Sequence, residues 1–418
     1  MDRQIWVYAD LNGRALLVGR LWARVVRGKE SASFEYDASW LDNPDRFALE
    51  PALALTSGPF HTAPEKALFG AIGDSAPDRW GRVLMRRAER RRAEKLGQTP
   101  RTLMESDFLL AVNDFARQGA LRFKLDPHGP FLGLGSDTSI PPLVDLSRLL
   151  FATERLLNDE EDDDDLGLLL APGSSLGGAR PKAAVLDHSD QLAIAKFPHM
   201  LDDYNQVAWE GVALSLAEKS AINVPQWRLE NVNGKTVLIV QRFDRNGTQR
   251  IPFLSAMSLV GAADNEEHSY LEIADALRQF GADTKPDLIQ LWRRIVFNIL
   301  ISNTDDHLRN HGFLSSGSRG WCLSPAYDLN PVPVDVRPRI LTTAVDEFDA
   351  TASIELALST SSYYGLSLDQ AKAIAREVAE GVSSWRSEAE QLGQSKQAID
   401  RMTSAFEHED AEKARRLG

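Results

Sequence analysis

Residues 297–314, FNILISNTDDHLRNHGFL, and the stretch leading into them constrain this chain more than any other feature. Leu288, Leu291, Trp292, Ile295 and Ile299 recur at helical spacing, so 288–301 predicts a buried helix. That helix runs directly into Asn303, Thr304, Asp305, Asp306, His307 and Asn310. Such a chain must present an acid-dense loop from the end of a core helix. An Asp followed five residues later by an Asn is the spacing of a phosphotransferase loop, in which the Asp orients and deprotonates an attacking hydroxyl and the Asn holds a metal. Asp305 and Asn310 meet that spacing. His307 lies between them and reads as a phosphate-contacting or structural group, because Asp305 already fills the position of the base.

Two further segments extend the same chemistry. GFL and WCL flank Ser315 to Gly320 as a predicted hairpin, and Asp328 follows it, where a second metal-binding carboxylate would stand. Upstream, APGSSLGGARPKAAVL (residues 171–186) places Gly177, Gly178 and Lys182 just before a strand. Small residues let backbone N–H groups approach phosphate oxygens, and the lysine adds charge. The stretch lacks the GxxxxGK[ST] pattern, which excludes a Walker loop. In QLAIAKFP, strand alternation puts Lys196 on one face with Leu192 and Ile194. The following helix, from Tyr204 to Ser220, aligns Glu210 with Val207, Ala213, Leu214 and Ala217. Two opposite charges on inward-facing positions are expected to pair, as the phosphate lysine of a kinase does.

Order along the chain sets the fold class. Strands with a single helix occupy about 171–254, and helical patterns prevail beyond 255, the order of a two-lobed, protein-kinase-like α+β fold. A β-rich opening precedes them, with IWVYA and ALLVGRLWARVV around Asn12-Gly13 predicting a hairpin. The expected domains are a β-rich N-terminal domain (1–105), an N-lobe (106–254) and a helical C-lobe (255–418). From Pro64 to Lys95 the pattern is helical and ends in Arg79, Arg82, Arg86, Arg87, Arg90, Arg91, Arg92 and Lys95, read as a solvated face or as a contact for an acidic partner or partner-held DNA. The seven consecutive acids from Asp159 to Asp165 predict a disordered surface loop with no chemistry. A net charge of -13 disfavours unaided binding to DNA or anionic membrane. The single cysteine, Cys322, excludes an intrachain disulfide and a cysteine-rich zinc site. No apolar stretch approaches the ~20 residues of a spanning helix and the start shows no secretory pattern, so a cytoplasmic location without membrane association is expected.

Taken together, SSLGGARPK (174–182), AIAKFP (193–198), VQRFDR (240–245), NTDDHLRN (303–310) and LSPAYDLNP (323–331), with DSAPDRWGR (74–82) near the start, resemble the HipA family of serine/threonine kinase toxins from bacterial toxin–antitoxin modules. The resemblance implies ATP and Mg²⁺ as cofactors, with Lys196 at the ATP phosphates, Gln241 and Phe243 lining the adenine, and Asp244 near the nucleotide. It implies Asp305 as catalytic aspartate and Asn310 and Asp328 as Mg²⁺ ligands. Ser175, or its neighbour Ser174, falls where the family carries an autophosphorylated serine that shuts off ATP binding. A phosphate dianion there would repel nucleotide. The implied partners are a small DNA-binding antitoxin of HipB type, DNA only through that antitoxin, and a protein substrate of the translation-factor or aminoacyl-tRNA synthetase kind. The chain departs from the family at Ser255, Ala256 and Met257, where Gln-Glu-Asp is usual, and at Asp306, where Gly is common, an extra acid that either strengthens metal binding or is solvated. Two other readings stand beside this one: a nucleotide-binding pseudokinase scaffold and a kinase for a small molecule.

Overall fold

A computed structural model describes residues 2–133, 140, 143–170, 178, 180–263 and 266–418. Ser174, Ser175 and Gly177 lie outside the described residues. Contacts divide the chain into one unit comprising 1–201, 231–235 and 239–254 and a second comprising 202–230, 236–238 and 255–418.

The first unit opens with β1 (Asp2–Leu11), β2 (Arg14–Val26) and β3 (Lys29–Tyr36). Asn12 and Gly13 both take positive φ (54° and 76°), the two-residue turn whose twist suits a hairpin. With β4 (Phe60–His61) and β5 (Leu121–Lys124) these strands form a sheet in the order β4-β3-β2-β1-β5. Ile5, Val7, Ala9, Leu21 and Phe34 are buried on one face, as period-2 alternation requires. Further on, β6 (Lys182–Leu186), β7 (Leu192–Lys196), β8 (Trp227–Val232) and β9 (Lys235–Gln241) form a sheet in the order β6-β7-β9-β8.

The acidic run is ordered, contrary to expectation. Helix α1 (Arg79–Lys95) carries the basic cluster, α2 (Leu146–Leu157) precedes the run, and α3 (Asp163–Leu170) begins within it. Arg87 pairs with Asp159 at 2.6 Å and with the buried Glu161 at 3.0 Å, and Lys95 pairs with Asp163 at 2.5 Å. From α2, Arg155 holds Asp162 and Asp165 at 3.2 and 2.8 Å. Seven acids in a row repel one another in isolation; a cationic helix beside them reverses the sign of that energy. Part of the basic cluster therefore serves the fold and is not a free face.

Glu50 gives a test of burial in this unit. Its carboxylate accepts the Ala71 N–H at 2.6 Å, yet burial pushes its pKa up to about 7 from 4.5. A raised acid pKa means the unfolded chain ionises first, so stability falls as pH rises between those values, by about 3 kcal/mol. Glu50→Gln keeps the acceptor and removes the titration. Thermal unfolding is expected at higher temperature than wild type at pH 8 and at nearly the same temperature at pH 4.

In the second unit, α4 (Gln206–Lys219), α5 (Tyr270–Phe280), α6 (Thr284–Leu300) and α7 (Leu368–Ser383) make most of the core. Leu288, Leu291, Trp292, Ile295 and Ile299 on α6 are each at most 6% exposed, as their spacing predicts. The strands Gly312–Ser315 and Trp321–Leu323 pair antiparallel as the expected hairpin. Among the described residues no helix is long and apolar enough to cross a membrane.

Candidate active site

The acid-dense loop begins where α6 ends. Ser302 takes φ 53°, turning the chain out of the helix, and Asn303 returns both its backbone N–H (2.9 Å) and its side-chain amide (3.1 Å) to Asn298. The two adjacent aspartates then diverge. Asp305 is exposed and pairs with Arg337 at 2.8 Å. Asp306 is buried and not solvated: Tyr270, Asn298 (2.9 Å) and His311 (2.7 Å) all donate to its Oδ2. Burial alone would raise its pKa, but the His311 imidazole and the bonds from His311 and Tyr270 outweigh burial and hold it below the ordinary carboxylate value. Tyr270 is pushed well above its usual pKa by burial and by the same carboxylate. Asp306 thus fixes the loop so that its neighbour can stand clear.

Asn310 ends the 3₁₀ turn Leu308–Asn310 and donates its side-chain amide to the Asp305 carbonyl at 3.2 Å. Its Oδ1 is buried and has no hydrogen-bond partner among the described residues, and neither has Nδ1 of the half-buried His307. A buried acceptor oxygen without a donor is costly and calls for a cation or an ordered donor. Asp328 follows the hairpin with φ 58°, a left-handed conformation uncommon for a residue with a side chain. Its own turn is closed by Asn330, which donates to the Asp328 carbonyl at 3.1 Å. Tyr327 donates to the Arg309 carbonyl at 2.7 Å, tying the Asp328 segment to the Asn310 turn. Asn310 is thus bonded to Asp305 directly, and the Asp328 segment is tied to the same turn through Tyr327. Glu210 lies in the same unit, buried on α4.

The remaining candidates lie in the first unit. Lys196 ends β7, directly opposite Lys182 on β6. Like charges facing across a ladder are unfavourable unless each finds an anion. Lys182 is buried against Asp78, the N-cap of α1, at 3.0 Å, so its charge serves the junction with that helix. Gly178 takes φ 95°, open to glycine and strained for other residues. Gln241 ends β9, and Phe243 sits 6.4 Å from Phe253. Asp244, expected near the nucleotide, is completely buried and held by Arg242, by Arg245 at 2.8 Å and by the Gly119 N–H at 2.7 Å. Those bonds occupy both of its oxygens, which makes it a structural anchor. Sequence reasoning missed the anchor of Asp306, the Arg337 contact and the Asp244 cluster. A repeated Arg/Asp pattern in QRFDRNGTQR was the only available signal, and it reports charge without naming partners.

Residues 174–386 match the HipA-like C-terminal domain and residues 13–106 match the HipA N-terminal domain. A protein of Sinorhizobium fredii (strain NBRC 101917 / NGR234), "Putative kinase Y4mE", is 25% identical over 330 residues, which cover 71% of either chain. A Haemophilus influenzae (strain ATCC 51907 / DSM 11121 / KW20 / Rd) protein called "Putative kinase" is 24% identical over 203 residues, 41% of this chain and 56% of that one. The fold matches a solved Shewanella oneidensis MR-1 structure, described as HipA with HipB and its operator DNA, with a TM-score of 0.68 at 17% identity over 99% of this chain and 100% of that one. The two matched domains account for the β-rich opening and for the mixed sheet and helix that follows, and this chain belongs to the HipA family.

Proposed function

We propose that this chain is a protein serine/threonine kinase that uses ATP and Mg²⁺ and acts as the toxin partner of a small DNA-binding antitoxin of HipB type. The observation that carries the reading is the buried Oδ1 of Asn310, without a hydrogen-bond partner among the described residues, in a side chain whose amide bonds the backbone carbonyl of the exposed Asp305. Relatives named as kinases support the activity, and the HipB and operator DNA that accompany HipA in the Shewanella complex support the partner.

On this reading Asn310 and Asp328 hold Mg²⁺, a hard cation suited to amide and carboxylate oxygens, which supplies positive charge to the phosphate oxygens when bound. Asp305 releases Arg337, takes the hydrogen bond of the acceptor hydroxyl and removes its proton as the oxygen attacks the γ-phosphorus in line, whose bond to the β,γ-bridging oxygen breaks so that ADP leaves. His307 presents its buried Nδ1 toward phosphate. Lys196 grips the phosphates with the backbone of Gly177 and Gly178, Glu210 serves nucleotide binding, and Gln241 and Phe243 line the adenine. Lys182 and Asp244 act on the nucleotide through the fold that they anchor. Ser175 is the autophosphorylation site, with Ser174 as its neighbour. The acceptor is a protein of the translation machinery, a translation factor or an aminoacyl-tRNA synthetase.

The test is incubation of the purified chain with γ-labelled ATP. Label is expected on the chain with Mg²⁺ and none with EDTA. Asn310→Ala is expected to raise the Mg²⁺ concentration for half-maximal transfer by about tenfold or more, the size of effect seen when a metal site loses a supporting group. Nucleotide binding without any transfer would instead favour the scaffold reading.

A further inference from the structure

The segment that follows Asp328 carries an exposed surface that the catalytic reading leaves unused. Residues 339–352 fold back as a ribbon: Leu341 donates to Ala350 (2.8 Å), Ala352 to Arg339 (3.1 Å), and Ile340 bridges antiparallel to Thr351. This ribbon is fastened to the catalytic loop. Thr342 donates its N–H and its hydroxyl to the Thr304 carbonyl (3.1 and 3.0 Å), and Thr343 donates to the Asp306 carbonyl at 2.7 Å. Those two carbonyls flank Asp305 on either side.

At the tip, Phe348 is 89% exposed on a backbone fixed by hydrogen bonds. Asp346 Oδ1 accepts the N–H of Phe348 (2.9 Å) and of Asp349 (2.6 Å), Asp349 Oδ1 accepts that of Thr351 (2.8 Å), and Val345 donates to the Asp349 carbonyl (2.8 Å). An aromatic ring displayed on a preorganised turn loses little entropy on docking and is the residue type that dominates interface energetics. Ile340 (57% exposed), Val336 (42%) and Val334 (45%) lie in the same stretch of chain. Around the ring stand Asp346, Glu347 and Asp349, none with a cation in salt-bridge distance among the described residues. The nearby arginines are already engaged, Arg337 by Asp305 and Arg339 by Asp410 at 2.7 Å.

We infer that the 339–352 ribbon is the acceptor-docking platform, and that it takes a polypeptide segment carrying lysine or arginine beside apolar side chains. The identity of the occupant rests on the kinase reading above. Charge selects it: three uncompensated carboxylates around an apolar anchor favour a basic partner and repel an acidic one. A second copy of this chain is disfavoured by the same term, because its net charge is -13 and a two-fold contact would set the acids against one another. Reach also fits. Phe348 is six residues from Thr342, which bonds the Thr304 carbonyl, so its backbone lies at most about 22 Å from that contact, within the span of an extended segment of eight or nine residues.

The experiment measures binding without ATP. Fluorescence anisotropy of the full chain is recorded with a fluorescein-labelled nonapeptide, serine flanked by leucines with three arginines at each end, and with its glutamate counterpart. At low salt the arginine peptide is expected to bind at least tenfold more tightly. Phe348→Ala is expected to weaken it at least fivefold, and Glu347→Lys to abolish the preference, with thermal unfolding unchanged because both side chains are exposed. Equal binding of the two peptides, or variants that bind as wild type does, overturns the inference. So does a concentration-dependent oligomer that Phe348→Ala dissolves, which reassigns the patch to self-association. Failure of Mg²⁺-dependent transfer with peptide binding intact strikes the kinase reading alone, and the reverse result strikes the platform alone.

Discussion

Asp306→Ala is expected to destabilise the second unit by about 3–5 kcal/mol, whereas Asp305→Ala, one residue away, costs less than about 1 kcal/mol and instead lowers phosphate transfer by about 10²–10⁴. Removing the Asp306 carboxylate strands the Tyr270 hydroxyl, the Asn298 amide and the His311 imidazole, all buried donors aimed at one oxygen. Asp306→Asn restores the volume and an acceptor oxygen at the Oδ2 position but removes the negative charge beside His311, so it recovers only part of the loss. Asp305 contributes an exposed ion pair to stability, and on the proposed kinase reading its loss leaves the loop standing without the group assigned to take the hydroxyl proton. Urea unfolding and a transfer assay on the same preparations separate the two. The pH dependence has a sign as well. The folded pKa of Asp306 lies below its unfolded value, so its contribution is full above about pH 4 and is lost as pH falls through the depressed folded value. Comparable stability of the two alanine variants would show that Asp306 does not anchor the loop.

That contrast marks where the sequence stops being legible. The spacing of Asp305 and Asn310, the burial of the helix before them and the hairpin that leads to Asp328 are local patterns, and local patterns are written in periodicity and turn residues. Which of two adjacent aspartates faces inward is decided by Tyr270, 36 positions away, together with Asn298 and His311 nearer at hand. No periodicity records such a pairing. An acid standing where glycine is common is consequently explained by three donors that a residue-by-residue reading cannot assemble.

The same limit applies to charge. The runs at 79–95 and 159–165 were both plain in the sequence, but considered one at a time each reads as a solvated surface. Seventy-four positions separate Arg87 from Glu161, and only the fold brings them into register. Lys182 is the converse case. Its position beside a glycine-rich stretch suggests phosphate, and Asp78, from the start of α1, supplies the nearer anion. A lysine seeks the anion that the fold offers, and sequence proximity to a loop does not say which one that is.

Asp244→Ala is expected to cost the first unit about 3–5 kcal/mol, because the carboxylate is the anion at the centre of a buried cationic cluster. Arg242 and Arg245 both hold it, and Arg242 also caps the Ala116 carbonyl at 2.8 Å. Arg117, fully buried, spends its guanidinium on the carbonyls of Ser75, Leu109 and Val112. Arg122 and Arg250 share Asp114 at 2.7 and 3.2 Å. Burial lowers the pKa of Arg117 and of Arg245 to about 9, so these cations are already under strain with Asp244 present. Asp244 itself experiences the opposite: burial works against its charge, but the fields of Arg242 and Arg245 prevail and hold its pKa far below the usual range. Without it, Arg242 and Arg245 lose the carboxylate that both hold. Calorimetry is expected to show the loss at neutral pH. Because removing both members of a buried pair is less harmful than removing one, Arg242→Met combined with Asp244→Leu is expected to be more stable than Asp244→Ala alone. A nucleotide-contacting role predicts a different outcome: Asp244→Ala would then weaken ATP binding while unfolding at the wild-type temperature.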